Sequence, residues 1–299
     1  KDLGVCLGEQ VSFQGKVSNQ TIIKWEWDFG DGITDTVQNP KHDYNKPGVY
    51  SVVVKAHKKN SNGCSTFDSS VLELAIYATP KADFAYTALC KGDAVLFTDS
   101  TKIDSGYEIQ ANIWNLGVGT AKFGTHLSNT YVDTGWYTIT NQAVSKNNCR
   151  NTATKKIYIN PKPEVKFGYE NLCSGQNTNF IDSSKIDRGD IVKWNWKFNI
   201  NSDSSDLQNP SYTFPSFGSN AVKLTAESDS GCISSWDTTL TILDSIKANF
   251  EVRDTCINKS FSFTNTSHEG SSALTYSWDF GDDSTSTVKS PSHNYLNTK

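Results

Sequence analysis

The chain is a succession of short runs in which apolar and polar residues alternate, separated by turn residues, and the same runs return several times. An early run appears as Val11-Ser12-Phe13, Val95-Leu96-Phe97, Asn179-Phe180-Ile181 and Phe261-Ser262-Phe263. An aromatic run follows: KWEWDFGDG (24–32), NIWNLGVG (112–119), KWNWKFNIN (193–201) and YSWDFGDD (276–283). A turn with an aromatic residue comes next, as NPKHDY (39–44), SNTY (128–131), NPSYTF (209–214) and SPSHNY (290–295). Gly48, Gly135 and Gly218 then open another alternating run, and VLELAIY, KKIYIN and TTLTIL close the unit. Period two with β-branched and aromatic residues predicts strands, and no helical stripe of useful length competes with it.

The period fixes the organisation. Cys6, Cys90, Cys173 and Cys256 are 84, 83 and 83 residues apart, and Cys64, Cys149 and Cys232 are 85 and 83 apart. Trp27, Trp114, Trp196 and Trp278 keep the same beat. The predicted copies are 1–79, 80–162, 163–246 and 247–299. Several short strands in each predict a small β-sandwich able to bury its own core, unlike a solenoid repeat. The joints near Ala78–Pro80, Asn160–Pro163 and Leu243–Ile246 are short, and two contain proline, which predicts an extended, semi-rigid rod. The fourth copy stops before its Gly-initiated strand and second cysteine. The expectation is that the native chain continues or that another strand completes it.

Composition narrows the partners. Lys+Arg is 28 against Asp+Glu 32, a net charge of −4, without the basic excess that nucleic acid or an anionic membrane would attract. No apolar run approaches the roughly 18–20 residues of a membrane span. The chain starts at Lys1 and contains no Met, which reads as an internal or processed piece of a longer protein.

Trp27-Asp28-Phe29-Gly30-Asp31-Gly32, Asn39-Pro40-x-His42-x-Tyr44 and Gly48-x-Tyr50-x-Val52 together resemble the PKD domain. The resemblance extends over all four copies and implies an immunoglobulin-like β-sandwich. Copy four carries WDFGDD. Copies two and three depart, with WNLGVG and WKFNIN, and their turns are expected to differ in shape. The recurring Cys-x-Gly and Gly-Cys sites are similar to those of tandem PKD arrays in very large Bacteroidota surface proteins. Gliding-motility adhesins and other cargo of type IX secretion are among these. No cofactor is expected from the residues, with Ca²⁺ at the Asp-rich turns as the alternative.

The cysteines are expected to pair within each copy, as Cys6–Cys64, Cys90–Cys149 and Cys173–Cys232, leaving Cys256 without a partner in this segment. Closing a ~60-residue loop in this way is worth about 4 kcal/mol. A metal site is the rival reading, but no CxxC occurs and the histidines do not travel with the cysteines. Disulfides imply an oxidising compartment, extracellular or at the cell surface.

Trp27, Trp114, Trp196 and Trp278, one per copy at a strand centre, are expected to be core rings over the disulfide rather than sugar platforms. Trp136 and Trp236 occur in single copies and are candidates for exposed, ligand-touching rings. Asp28, Gly30, Asp31, Gly32, Asp279, Gly281 and Asp282 crowd the turn after the tryptophan. They are read as structural: Asp accepts backbone N–H bonds and Gly permits positive φ. Copies two and three have Asn115, Val118, Lys197 and Ile200 instead, which argues against a shared catalytic pair; Ca²⁺ in copies one and four is the alternative. His42 and His293 are read as turn residues beside Tyr44 and Tyr295. The resemblance to Bacteroidota surface proteins implies candidate O-glycosylation sites at the Asp-Ser/Thr triplets of Thr36, Thr238 and Ser245.

No P-loop, GxSxG, HExxH or EF-hand string occurs. The expected function is therefore a non-enzymatic extracellular stalk or adhesin spacer. Its partners would be neighbouring repeats of the same chain, surface polysaccharide or protein, or further copies in a self-assembled layer. The alternative is a polymer-binding accessory region of a secreted hydrolase.

Overall fold

The computed structural model describes residues 4–18, 22–59, 63–199, 203–253, 260–267 and 274–295. Cys256 lies outside them. The described residues contain strands and turns and no helix.

Copy one shows the plan. Its strands are β1 (Gly4–Cys6), β2 (Val11–Ser12), β3 (Lys24–Asp28), β4 (Thr34–Asp35), β5 (Lys41–His42), β6 (Gly48–Lys59) and β7 (Ser65–Tyr77). One sheet runs β1-β7-β6-β3-β4, and β2 pairs with β5 in the other. β6 and β7 form a long antiparallel hairpin, from Gly48 opposite Ile76 to Lys59 opposite Ser65. β1 lies parallel to the far end of β7, with Cys6 beside Tyr77. Copy two repeats this with a four-stranded sheet built on the Gly135–Ser145/Arg150–Ile159 hairpin and a three-stranded sheet across from it. Copy three does the same with Gly218–Ser228/Ile233–Ile242. In copy four, Phe250–Arg253, Phe261–Asn265 and Ser292–His293 form one sheet, and Trp278–Asp279 with Thr285–Ser286 the other.

Each sandwich has its own core, because alternation sends every second side chain inward. Phe13, Trp27, Phe29, Tyr44, Val52, Leu74 and Ile76 pack together in copy one. Phe84, Phe97, Trp114, Tyr131 and Ile157 lead the cluster in copy two, and Phe180, Trp196, Phe198, Phe214 and Leu240 that of copy three. Trp27, Trp114 and Trp196 are buried, whereas Trp278 is half-buried. The chain divides into two compact units, Lys1–Asn160 and Pro161–Lys299.

The expected cysteine pairing does not occur. Cys6 is bonded to Cys149, joining copy one to copy two, and Cys64 and Cys173 are free and exposed. Cys90 and Cys232 are also disulfide-bonded. The length of β7 explains why Cys6 and Cys64 do not pair. Cys64 stands at its start and Cys6 beside its last residue, Tyr77. Thirteen residues of strand, about 40 Å at ~3.3 Å each, separate the two sulfurs. A disulfide tolerates a Cα separation of no more than about 7 Å.

The same layout rules out Cys90–Cys149 and Cys173–Cys232. Cys90 bridges to Asn160 and Cys173 to Leu243, each at the far end of a ten-residue strand whose start follows the second cysteine. The tryptophans consequently fill the middle of each sandwich, while the cysteines mark its ends.

A core role for the recurring tryptophan and a surface role for Trp136 predict opposite responses. Trp114→Ala should cost about 3–5 kcal/mol in chemical denaturation. Trp136→Ala should stay within about 0.5 kcal/mol. Equal losses would contradict the assignment.

Candidate functional site

The densest constellation of polar side chains is the turn after the tryptophan strand. In copy one Asp28 Oδ1 accepts the Gly30 N–H at 2.9 Å, and Asp31 Oδ1 accepts the Ile33 N–H at 3.1 Å. Gly30 and Gly32 have φ of +82° and +90°. A Cβ on Gly30 would sit 2.9 Å from the Ser51 carbonyl oxygen, so this position needs glycine twice over. Copy four repeats the bonds, Asp279 to Gly281 at 2.9 Å and Asp282 to Ser284 at 3.2 Å.

The departure in copy two changes less than its residues suggest. Asn115 Oδ1 accepts the Gly117 N–H at 2.8 Å, and Gly117 and Gly119 keep positive φ. In copy three Asn199 occupies the place of Gly30 with φ +61°. The expectation of a different shape is therefore corrected for copy two; in copy three Trp196 lies opposite Ser205, nine residues on, where Trp27 lies opposite Asp35, eight residues on, so that turn is longer. Asn makes the same side-chain bond as Asp and tolerates the left-handed region.

Side chains from three directions close over this turn. The indole N–H of Trp27 donates to Val37 O at 3.0 Å, and Trp114, Trp196 and Trp278 make the same bond to Gly124, Leu207 and Val288. Tyr44 donates to Phe29 O at 3.0 Å, as do Tyr131 to Leu116 O and Tyr295 to Phe280 O. Burial, then the negative charge and phenol groups around it, push the Tyr44 hydroxyl up to about 12, so it remains a donor. His42 stacks on Phe29 at 4.1 Å, meets Tyr44 edge-on at 4.6 Å, and places Nε2 2.7 Å from Asp31 Oδ2. His293 repeats all three contacts with Phe280, Tyr295 and Asp282. Each histidine thus has a fixed carboxylate partner, which sequence alone did not reveal.

Burial raises the Asp31 pKa, but hydrogen bonds from His42 and the Ile33 N–H outweigh it and hold the group below 3.8. Both Asp31 oxygens are engaged in these contacts. Among the described residues, no group of three or more His, Cys, Asp or Glu is placed to hold a metal ion.

The exposed rings fall elsewhere. Trp136 is 58% exposed, with Tyr158 against its edge at 5.2 Å and the Lys156 ammonium 5.0 Å above it. Trp236 rests on Phe167, ring centres 4.7 Å apart. Thr36 is exposed, while Thr238 and Ser245 are half-buried. Copy two also holds a buried polar knot that sequence reasoning missed. Asp99 accepts from the amides of Asn112 and Asn141 at 2.8 and 2.9 Å. The recurrence of polar residues at inward positions of paired strands is the only signal for it in the sequence.

The Asp31 contacts predict a pH dependence. Because Asp31 titrates below its ordinary value, its contribution to stability is complete above about pH 4 and is lost as pH falls through the depressed pKa. Asp31→Asn should lower copy one's stability by about 1–2 kcal/mol at pH 6. The gap from wild type should shrink as the pH is taken to 3. A gap of constant size down to pH 3 would show that the carboxylate charge is not the source.

Similar solved structures include three N-terminal domains of the bacteriophage RB49 highly immunogenic outer capsid protein. The identity is 11%, with 79% of this chain and 91% of that chain covered and a TM-score of 0.36. Fibronectin(III)-like modules of Clostridium thermocellum CbhA match at 12% identity over 56% of this chain and 94% of theirs, TM-score 0.34. A tetra-tandem repeat from the extending region of a large adhesion protein matches at 14% over 88% and 80%, TM-score 0.29. At these scores the likenesses carry no argument about function. The sequence matches the PKD domain family over residues 1–74, 160–242 and 247–298, more than half of its length, and the chain belongs to that family.

Proposed function

We propose that this chain is a spacer segment of a bacterial cell-surface stalk or adhesin, holding a binding region away from the cell. The observation that carries the reading is the bond from Cys6 to Cys149, which ties one sandwich to the next and needs an oxidising, extracytoplasmic environment. A protein that only displays a ligand site has no need of covalent bonds between modules; one that bears load along its length benefits from them. The recurring acids and histidines are engaged in holding turns, which supports a role without catalysis. No helix of the described residues is long and apolar enough to cross a membrane.

Membership of tandem PKD modules supports an extracellular spacer or adhesion role in general. Placement among type IX-secreted, gliding-motility adhesins of Bacteroidota rests on the cysteine pattern of the sequence. A second reading, an accessory region holding a secreted hydrolase on its polymer, draws support from Trp136 with Tyr158 and Lys156 on one exposed surface.

Gold-labelled antibody against this segment, applied to intact growing cells, tests the proposal. Label on surface projections is the expected result. Antigen chiefly in the medium, sedimenting with an insoluble polymer and released by Trp136→Ala, would favour the accessory reading. Antigen confined to the cytoplasm would defeat both.

A further inference from the structure

Three copies present their first cysteine in the same way, parallel to the end of their own last strand: Cys6 by Tyr77, Cys90 by Asn160 and Cys173 by Leu243. Two of the three are disulfide-bonded, and Cys173 is a free, exposed thiol.

The second cysteine stands at the tip of the long hairpin in copies one, two and three. In copy two this tip is covered: Val144, Ser145 and Cys149 are all buried. Its contacts lie with copy one, where Cys149 bonds Cys6 and its sulfur approaches Tyr77 O. Tyr107 also donates to Ile76 O at 3.3 Å. Copy three has the same tip, with Ser228 Oγ accepting the Cys232 N–H at 3.1 Å as Ser145 Oγ accepts that of Cys149. Ser228 and Cys232 are likewise buried, and Cys232 is bonded.

Copy one differs at this end. Cys64 is free and exposed. Every residue from Ser65 to Leu72 is exposed, including Phe67, Val71 and Leu72. The hairpin cysteine that copy two buries against its predecessor is exposed in copy one, and Phe67, Val71 and Leu72 on the strand that follows it are exposed as well.

We propose that the bond from Cys6 to Cys149 is one rung of a ladder between successive modules, and that Cys64 and Cys173 are open rungs of this ladder, each taken by a further PKD module of the same polypeptide. The occupant of the Cys64 hairpin is the strand-end of a module preceding Lys1, presenting a cysteine as copy one presents Cys6. The occupant of Cys173 is the hairpin cysteine of the fourth module, beyond Lys299. Continuity with the observed interface selects these occupants over an unrelated protein: the bonded cysteine, its neighbouring backbone carbonyl and the tip turn are already used once in the chain. Each rung forms when two thiols lose two protons and two electrons to a disulfide oxidant of the thiol–disulfide exchange class. That oxidant leaves as its dithiol.

This inference is independent of the stalk reading, since a ladder would also serve an accessory region. The native protein, isolated from the surface or medium with N-ethylmaleimide present, is digested without reduction and its cross-linked peptides are sequenced by mass spectrometry. The expected result is Cys6 linked to Cys149, Cys64 linked to a cysteine before residue 1, and Cys173 linked to a cysteine after residue 299. As a companion measurement, the 1–299 chain should be alkylated at both Cys64 and Cys173 while folded. Lengthening it by one module at each end should abolish that labelling. Recovery of Cys64 as the maleimide adduct in the native protein, or linked to Cys6, would overturn the proposal, as would Cys173 linked to Cys232.

Discussion

The last strand of each sandwich separates the two cysteines of a copy by the full length of the module, and the cross-linking follows from that distance. Cys64 begins β7 and Cys6 lies beside its end, so the nearest opposite-type sulfur for Cys6 belongs to the next hairpin. The bond closes a loop with a sequence separation of 143 and, in the chain-entropy model, is worth about 5 kcal/mol. That contribution matters where cores are small and ring-rich. In copy one the buried cluster is seven residues, four of them aromatic. Modules of about 80 residues bury a smaller share of their surface than larger domains do.

Within a copy, the aromatic strand organises the rest. The tryptophan fills the core, and its N–H bonds the loop ten or eleven residues on. The next aromatic stacks on or bonds to the turn, and Asx bonds hold the turn itself. Polar groups that look like chemistry in the sequence are thereby engaged in architecture. His42 is the instructive case. It is buried between Phe29 and Tyr44 and fixed by Asp31, an arrangement that in a cleft would suggest a base and here stabilises a corner.

Much of this was legible beforehand because it is local. Strand alternation, the glycine turns and the recurring tryptophans depend on residues a few positions apart, and the period of the cysteines exposed the modular plan. The cysteine pairing was not legible, although every sulfur was counted. Spacing alone treats Cys6 and Cys64 as an obvious pair, and only the parallel placement of β1 beside the end of β7 shows that they lie at opposite ends. The shape of the copy-two turn was not legible for a related reason. Asn115 keeps the bond that Asp28 makes while changing residue identity, and φ is not visible in a sequence. The knot of Asp99, Asn112 and Asn141 depends on three strands meeting, which no single stretch reveals.

A bond that joins modules rather than closing one changes what happens when the chain is pulled. Copy one's core, from Phe13 to Ile76, lies wholly inside the loop closed by Cys6 and Cys149, so force applied at the chain ends bypasses it. Single-molecule stretching of the chain, first oxidised and then with a thiol reductant present, tests this directly. The account predicts that residues 7–89, from Cys6 up to the next bonded cysteine, Cys90, add no extension until the disulfide is reduced, and then contribute about 300 Å at ~3.5 Å per residue. The same extension before and after reduction would contradict it.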